Sequence, residues 1–364
     1  MKKLIVCIFF ICISIFNTAS ASTELSLNAK SAVLFDRRCK RVLYDKNAYE
    51  KVPNASTTKI LTAIVVAENC DVNEIVEIGQ NAVKVIGSKV KFRKGDKITV
   101  NDLMNGMLLC SGNDAAIALA EHTSGTVLEF CKLMNSKAKE IGAMNTNFVT
   151  PHGLDENDHY STAYDLAILA DYALNNQYLA NIFEKKTETI YINGQPRNIS
   201  TTNEMLYVYN NADGVKTGFT NNAGRCLVTS ATNEKGWQLI SVVLGCDTKN
   251  LRTQDSKKLL DYGFENFEIV DVAEILPQNV IFNVKKSKDE IYRLKIDYHY
   301  YYPLTVEEKG KIYYKQTEMP LFLAPVLPNT EIIKYEIYAR RFKNYRTFSE
   351  NTRKNRKKRS KGLF

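Results

Sequence analysis

The chain has 364 residues, of which 45% are hydrophobic and 24% are charged. These values exclude a disordered chain and leave a globular protein with room for one large domain and one small domain. The net charge of +9 is local, because eleven Lys and Arg residues against one acid follow position 339. Without that tail the chain sums to about −1, so the composition of the remainder does not indicate a nucleic-acid partner.

The first 21 residues have the three parts of a secretory signal peptide. Met1–Lys3 is basic, Leu4–Phe16 is an apolar run of thirteen residues, and Ala19–Ala21 offers small residues for cleavage. The apolar run is too short for a comfortable membrane span. We therefore predict export of the chain and cleavage after Ala21. The alternative is an uncleaved N-terminal anchor.

Removal of this segment leaves six cysteines: Cys39, Cys70, Cys110, Cys131, Cys226 and Cys246. An even number of cysteines in an exported chain is compatible with disulfides. Their wide spacing and the length of the chain favour free structural cysteines, and no Cys-x-x-Cys pair indicates zinc or redox chemistry. The four histidines show no metal-ligand spacing. Neither a metal nor another cofactor is predicted.

The mature chain is predicted to begin with a β-hairpin, since two short apolar stretches at residues 31–35 and 41–44 flank a polar turn. From Thr57 to Ala67 the chain is nearly apolar all round, and a helix without a polar face is a buried one. Ser56 would therefore lie at the mouth of a central helix. Residues 102–174 are predicted to be mainly helical. Three residues are the expected helix starts: Asn101, Asn113 and Thr162.

Strands are predicted again at residues 227–231 and 239–244, followed by a helix at residues 255–260. Strands, a helical middle and further strands indicate an α/β (α+β) domain, in which helices flank one antiparallel sheet built from both ends. From about residue 271 the segments are short, alternating and aromatic, which predicts a small all-β domain. The predicted divisions are a signal peptide (1–21), a large domain (22–270), a small β-rich domain (271–338) and a basic tail (339–364).

Ser56 and Lys59 form a Ser-x-x-Lys pair at the start of the buried helix. Residues three apart on a helix share a face, so the Lys59 amine can reach the Ser56 hydroxyl. Burial would lower the lysine pKa towards that of a useful general base. The spacing recurs at Ser88–Lys91 and Ser136–Lys139, and taken alone Ser56 is better explained as an ordinary helix N-cap.

A second motif, Ser111-Gly-Asn113, follows 55 residues after Ser56. In a functional interpretation Ser111 would relay a proton among Lys59, Ser56 and a leaving amine, and Asn113 would offer its amide to a substrate carbonyl. The same residues also suit a helix cap before the Ala-rich segment that follows.

A third motif, Lys216-Thr217-Gly218, occurs once in the chain. Lys216 would keep Lys59 neutral and hold an anionic substrate, and Thr217 would offer a hydroxyl to a carboxylate. Gly218 would leave room for a peptide along the strand. The backbone N–H of Phe219, with that of Ser56, would form an oxyanion hole. The alternative is a solvent-exposed strand start.

The order and spacing of these motifs resemble those of the D-alanyl-D-alanine carboxypeptidases, the low-molecular-weight penicillin-binding proteins with a transpeptidase/β-lactamase-like fold. The resemblance covers residues 30–270 well and the remainder less specifically. Several segments carry it: Asn54–Thr62, Ser111–Ala116, Pro151–Leu154 with Ser161–Ala163, Gly214–Gly218 with Ala223-Gly224, and, in the β-rich domain, Leu323–Val326. Arg252 occupies the place of the family arginine that supports binding of the terminal carboxylate.

This resemblance implies a serine D,D-carboxypeptidase that removes the terminal D-alanine from peptidoglycan stem peptides through an acyl-enzyme at Ser56. It implies covalent inhibition by β-lactams. The sequence departs from the family pattern at Phe219, where a polar residue, Tyr or His is common, and at Cys110, which directly precedes Ser111. The tail shows no clear amphipathic anchor helix.

Three alternative functions share much of this pattern. A serine β-lactamase usually carries a Glu-x-x-Leu-Asn segment, which is absent between Ser111 and Lys216. A D,D-endopeptidase is chemically almost the same enzyme. A non-catalytic exported polyanion-binding protein would use the tail, Arg340–Lys361, on an anionic membrane or wall polymer. The tail is equally compatible with a disordered solubilising end.

Overall fold

A computed structural model describes residues 25–286, 291–295, 298–316, 322–323, 335–340 and 345–347. The signal peptide, most of the basic tail and the segment Leu323–Val326 beyond its first residue lie outside the described residues.

The strands, numbered in chain order, are β1 (Ser31–Asp36), β2 (Arg41–Lys46), β3 (Ile75–Glu77), β4 (Lys97–Thr99), β5 (Thr187–Ile192), β6 (Gln195–Ser200), β7 (Ala212–Thr220), β8 (Gly224–Thr232), β9 (Gln238–Cys246), β10 (Glu268–Asp271), β11 (Asn279–Lys285), β12 (Ile291–Lys295), β13 (Tyr301–Leu304), β14 (Ile312–Gln316), β15 (Phe322–Leu323), β16 (Tyr335–Arg340) and β17 (Tyr345–Thr347). The helices are α1 (Lys59–Asn69), α2 (Gln80–Lys84), α3 (Val100–Leu108), α4 (Asn113–Ser124), α5 (Val127–Ile141), α6 (Ala163–Leu174), α7 (Gln177–Phe183), α8 (Met205–Val208), α9 (Lys249–Asn266) and α10 (Val306–Lys309). Two 3₁₀ turns, Ala55–Thr58 and Val272–Ile275, complete the set.

A five-stranded antiparallel sheet, in the order β2-β1-β9-β8-β7, forms the centre of the large domain. The chain enters the sheet at its first hairpin and returns to it only after the helical segment, so the prediction of one sheet formed from both ends is confirmed. Strands β8 and β9 are buried on both faces, which explains their continuous apolar sequence. Strand β7 is an edge strand, with β8 as its partner on one side.

Helix α1 is the buried central helix that the sequence predicts. All of its residues from Lys59 to Val66 are buried. Because its apolar positions surround the axis, the helix contacts the core on every side. Ser56 lies in the turn that directly precedes this buried helix.

The helix starts are partly as predicted. Thr162 caps α6 by accepting a hydrogen bond from the Asp165 N–H. Helix α4 begins at Asn113, as predicted, although no side chain caps it. Helix α3 instead begins after Thr99, whose side chain accepts from the Asp102 N–H. At both α3 and α6 a threonine is the N-cap and accepts from the N–H of an aspartate three residues later. For α3 the expected start residue was Asn101. The hairpin β5–β6 was not anticipated from the sequence.

The C-terminal residues form short strands around a small core of Val272, Leu304 and Ile337. Strand β10 pairs with β13, so this strand-rich part takes up the chain from about Glu268 onward. The fold class predicted from the sequence is confirmed. Within the described residues, no helix is long and apolar enough to span a bilayer.

Candidate active site

Ser56 lies in the 3₁₀ turn Ala55–Thr58 that leads into α1, and it is only partly buried. Its hydroxyl oxygen is 2.8 Å from Lys59 Nζ and 3.4 Å from the carbonyl oxygen of His152. No side-chain cap is formed at the start of either this turn or α1. The alternative that Ser56 is a helix N-cap is therefore wrong.

The turn that carries Ser56 has an unusual backbone. Ala55 has a φ of +48°, which is rare for a residue with a side chain. Gly153 packs directly against it: a Cβ at position 153 would lie 1.9 Å from the Ala55 carbonyl oxygen. Only glycine can occupy this position, so the segment 151–154 shapes the turn through its backbone.

Two buried histidines contact the same turn, His159 through its ring and His152 through its backbone carbonyl. His159 Nδ1 accepts from the Val149 N–H, and Nε2 is 2.8 Å from the Thr58 hydroxyl, which donates to the Ala55 carbonyl at 2.8 Å. Burial lowers the pKa of His159 to about 4 and that of His152 to about 3. Both rings are neutral near pH 7 and contribute hydrogen bonds rather than proton transfer.

Lys59 is fully buried at the first position of α1. Its Nζ lies 2.8 Å from each of three oxygens: Ser56 Oγ, Asn113 Oδ1 and the His152 carbonyl oxygen. Burial, and secondarily the charge of Lys216, hold the pKa of Lys59 well below its usual range. The lysine is thus surrounded by neutral oxygen atoms in a dry environment that disfavours its protonated form.

The other two Ser-x-x-Lys pairs have no such environment. Ser136 and Lys139 are exposed on α5, and Ser88 and Lys91 are exposed in a loop. The identical spacing therefore occurs three times, whereas burial of the lysine occurs once.

The second motif forms the other wall of the candidate site, which is called the groove below and is bordered by Ser56, Ser111 and Lys216. Ser111 is buried and has a φ of +59°. Asn113 is held on both sides, because its Nδ2 donates to the Ile86 carbonyl and its Oδ1 accepts from Lys59. Neither serves as a side-chain cap: the residue before α4 is Gly112. Asn113 therefore lies one hydrogen bond from Lys59, and the proton relay expected of Ser111 stays a prediction.

Asp114, the next residue, fixes this wall to the loop that runs over it. Its carboxylate accepts from the backbone N–H groups of Val90 at 2.9 Å and Lys91 at 2.7 Å. Ser111 and Asn113 are therefore placed by an anchored loop rather than by a free helix end.

Lys216 lies in edge strand β7 and is buried, so the alternative of a solvent-exposed strand start is wrong. Its Nζ donates to the Thr217 carbonyl at 3.0 Å. Burial, and then the neighbouring charge of Arg252, lower the pKa of Lys216 to about 7. The Thr217 hydroxyl lies 2.7 Å from that of Thr202.

Gly218 is the point where β7 contacts the turn of Ser56. A Cβ at position 218 would lie 3.1 Å from the Ala55 Cβ and from the Ser56 nitrogen, and 3.2 Å from the Asn54 oxygen. The missing side chain of Gly218 therefore allows the edge strand to approach the turn that carries Ser56. The expected clearance for a substrate peptide stays a prediction.

Phe219 is the exposed residue of the motif, with 46% of its surface accessible. The Arg225 guanidinium, directly opposite on β8, lies 3.6 Å from the centre of the phenylalanine ring. The departure from the family pattern at this position thus creates an aromatic surface covered by a cation, at the rim of the groove.

Arg252, in α9, is buried beneath the sheet and does not reach the surface of the groove. Its guanidinium donates to Glu204 at 2.5 Å and to the Cys226 carbonyl at 3.4 Å. It acts on the site electrostatically, since it contributes to the lowered pKa of Lys216.

Sequence reasoning missed three contributors: the His152 carbonyl, Thr202 and Glu204. The segment Pro151–Leu154 was noticed as a recurring family segment, but nothing in it indicated that its backbone oxygen would accept from Lys59. Thr202 and Glu204 precede β7 in a segment for which no element was predicted.

The fold and the site together define a serine hydrolase, in which a serine hydroxyl contacts the amine of a buried lysine. Residues 17–248 match the family Peptidase_S11, D-alanyl-D-alanine carboxypeptidase. The chain belongs to this family.

The chain is 37% identical over 280 residues to the D-alanyl-D-alanine carboxypeptidase DacF of Bacillus subtilis, covering 75% of this chain and 72% of that protein. It is 40% identical over 257 residues to DacC of Escherichia coli, covering 67% of this chain and 63% of that protein. Among solved structures, penicillin binding protein 5 from Haemophilus influenzae superposes with a TM-score of 0.75 at 30% identity, covering 88% of this chain and 94% of the other.

Proposed function

We propose that the protein is an exported serine D,D-carboxypeptidase that removes the terminal D-alanine from peptidoglycan stem peptides, with Ser56 as its nucleophile. The observation that carries the proposal is the set of three oxygens around Lys59 Nζ, each at 2.8 Å.

Two of those oxygens determine whether Lys59 donates to Ser56 or accepts from it. The Asn113 Oδ1 and the His152 carbonyl can only accept, and a neutral amine has two N–H groups and one lone pair. If both N–H groups are donated to these acceptors, the lone pair faces Ser56 and accepts its O–H proton. A neutral Lys59 is therefore oriented as a general base toward the serine.

The oxyanion formed by attack of Ser56 would be held by the backbone N–H groups of Ser56 and Phe219. The close approach of Gly218 to the Ser56 nitrogen supports this assignment, because it brings the two backbone segments together. The start of α1 adds favourable dipole orientation for negative charge.

The terminal carboxylate of the substrate would be recognised on β7. Thr217 offers its hydroxyl and Lys216 its charge, while Arg252 supports the positive potential from beneath the sheet. A peptide lying along the free edge of β7 would have its scissile carbonyl beside Ser56 and its carboxylate beside Thr217.

The reaction has two steps, acylation of Ser56 and hydrolysis of the acyl-enzyme, and Lys59 gives up in each step the proton that it takes. Ser56 Oγ bonds to the carbonyl carbon while its proton passes to Lys59 Nζ, and the proton then passes by way of Ser111 to the departing amine of D-alanine as the C–N bond breaks. Water next attacks the ester carbonyl and gives its proton to Lys59, which passes it to Ser56 Oγ as the ester C–O bond breaks and the shortened peptide leaves as its carboxylate. Asn113 would hold the substrate's backbone carbonyl during both steps.

β-Lactams would acylate Ser56 by the same first step, with slow hydrolysis of the ester. Export through the N-terminal signal peptide, and contact of the basic tail with an anionic membrane or wall polymer at the outer face of the cytoplasmic membrane, complete the proposal. Each basic residue near such a surface contributes about 1 kcal/mol.

The test is release of free D-alanine from a pentapeptide ending in D-Ala-D-Ala. The wild-type chain should release it, and Ser56→Ala should lower the rate by roughly 10³-fold or more. Ser136→Ala, which alters the exposed Ser-x-x-Lys pair on α5, is the matched control and should retain full activity.

Mass spectrometry after treatment with a penicillin tests the nucleophile separately. One covalent adduct is expected on the wild type and on Ser136→Ala. An adduct that persists on Ser56→Ala would overturn the assignment of Ser56. An adduct on Ser56 without release of D-alanine would overturn the substrate.

A further inference from the structure

A cysteine, a glutamate and a histidine meet on the side of the molecule away from the groove. Cys70 follows the last residue of α1, Glu74 lies in the next turn, and His122 lies in the last turn of α4. The Sγ atom, a carboxylate oxygen and a ring nitrogen all lie within 4.8 Å of one another. We propose that these three side chains bind a divalent transition-metal ion of the zinc class.

The donor set suits such an ion. Thiolate, imidazole and carboxylate are the three ligand types that zinc takes from proteins, at about 2.0–2.3 Å. Tetrahedral geometry at those bond lengths requires separations of about 3.3–3.7 Å between donor atoms. His122 Nε2 and Glu74 Oε2 are 2.6 Å apart. These two atoms would have to separate by about 1 Å, through small side-chain rotations, to admit the ion. A fourth position is open to water, because the His122 and Glu74 side chains are 25% and 47% exposed.

Neighbouring groups already orient two of the ligands. The second carboxylate oxygen of Glu74 accepts from the Asp71 N–H at 3.2 Å, which leaves Oε2 directed toward the histidine. The Cys70 Sγ is 3.2 Å from the Thr123 hydroxyl. The loop is fixed in turn, since the Glu74 carbonyl accepts from the Val100 N–H. Hydrogen bonds of this kind to ligands are what hold metal sites in a single geometry.

The position of the site indicates its consequence. Helices α1 and α4 carry Lys59 and Asn113 at their first positions, and the metal would join their last turns. Cys70 lies eleven residues after Lys59 and His122 lies nine residues after Asn113, so at 1.5 Å per residue the metal would lie about 14–17 Å along the helix axes from the chemistry. It would therefore clamp together the two helices that position the groove, without contacting the substrate.

The proposal is tested by cobalt binding to the reduced, chelator-treated full chain. One equivalent of Co²⁺ should give the near-ultraviolet thiolate charge-transfer absorption and the visible bands of a tetrahedral ion, and Zn²⁺ should displace it. Cys70→Ser should abolish the charge-transfer band. His122→Gln and Glu74→Gln should each weaken Zn²⁺ binding by roughly 10- to 100-fold or more. Cys39→Ser, a half-buried cysteine elsewhere, is the control and should bind like the wild type.

A charge-transfer band that persists in Cys70→Ser, or equal Zn²⁺ binding by wild type and all three ligand variants, would mean an adventitious ion only and would overturn the site. Penicillin acylation of Ser56 reports that each variant is folded and is independent of the metal. Zn²⁺ should raise the unfolding temperature of the wild type but not of Cys70→Ser, at unchanged acylation rate. An equal effect of Zn²⁺ on the unfolding temperatures of the wild type and Cys70→Ser would overturn the proposal that the metal joins α1 to α4.

Discussion

Two regions of the molecule bury positive charge in opposite ways. One is the C-terminal junction, where Arg41 of β2 contacts Glu308 of α10, and the other is the groove. At the junction, Arg41 donates to Glu308 at 2.6 Å and to the Pro303 carbonyl, and its guanidinium lies 5.3 Å and 5.2 Å from the ring centres of Phe267 and Tyr302. In the groove, Lys59 and Lys216 make no ion pair in the described part of the chain. They donate only to neutral oxygens.

The paired charge at the junction serves the stability of the fold, whereas the unpaired amines in the groove are suited to proton transfer. A buried charge with a hydrogen-bonded counter-ion remains charged and fixes the relation between two segments. A buried amine without a counter-ion lowers its pKa instead, so that its neutral form, with a lone pair able to accept a proton, is populated nearer to neutral pH. Five experiments would break or sharpen this contrast.

The largest effect is expected for Lys59→Met, which keeps the volume of the side chain and removes the base. The rate of Ser56 acylation should fall by roughly 10³-fold or more. Stopped-flow acylation with a chromogenic β-lactam measures it, and Lys139→Met on the exposed α5 pair is the control. Loss of less than tenfold would show that another group deprotonates Ser56.

At the junction, Glu308→Ala should leave Arg41 buried and unpaired, and should destabilise the C-terminal strands by about 3–5 kcal/mol. Denaturant unfolding followed through the tyrosines of that region measures the loss. Glu307→Ala, at the neighbouring exposed position, should change stability by less than about 0.5 kcal/mol. Acylation by the folded protein should be unchanged, and a parallel fall in acylation would contradict the separation of the two regions.

Gly218→Ala should lower acylation by roughly 10²-fold, since the new Cβ would displace the Ser56 turn by a fraction of an ångström. The same change at Gly310, where a Cβ would meet its first neighbour at 3.8 Å and φ is −70°, is the matched control. Full activity of Gly218→Ala would show that the strand and the turn adjust independently.

The smallest effect is a shift of the acidic limb of the pH–rate profile. Acylation should fall as the pH is lowered, because protonated Lys59 cannot accept from Ser56. Lys216→Gln removes a positive charge that lowers the pKa of Lys59, so the limb should move to higher pH. Acylation across a pH series measures it, and a shift to lower pH would contradict the coupling of the two lysines.

The lowered lysine pKa values also predict a stability trend of definite sign. The folded pKa of Lys216, about 7, lies below the ordinary 10.5, so the unfolded chain binds its proton first as the pH falls. The contribution of this residue to folding therefore becomes less favourable between pH 10.5 and about 7. Lys216→Met should be more stable than wild type at neutral pH, although less active.

The sequence determined the buried helix, the sheet built from both ends and the three ordered motifs, because periodicity and local spacing are written in consecutive residues. By lacking a Glu-x-x-Leu-Asn segment between Ser111 and Lys216 it also argued against a serine β-lactamase, whereas it left a D,D-endopeptidase open. It could not choose among three Ser-x-x-Lys pairs by spacing, and the unique third motif made that choice only by order.

Only the tertiary structure showed which atoms surround the buried Lys59 amine, since that depends on what packs against the helix from distant parts of the chain. The His152 carbonyl 2.8 Å from Lys59 Nζ, the Glu204 partner of Arg252, and the Cys70, Glu74 and His122 cluster join residues tens of positions apart. Backbone atoms and long-range neighbours leave no periodic trace in a sequence. The residue types of the groove were therefore predictable, whereas its electrostatics were not.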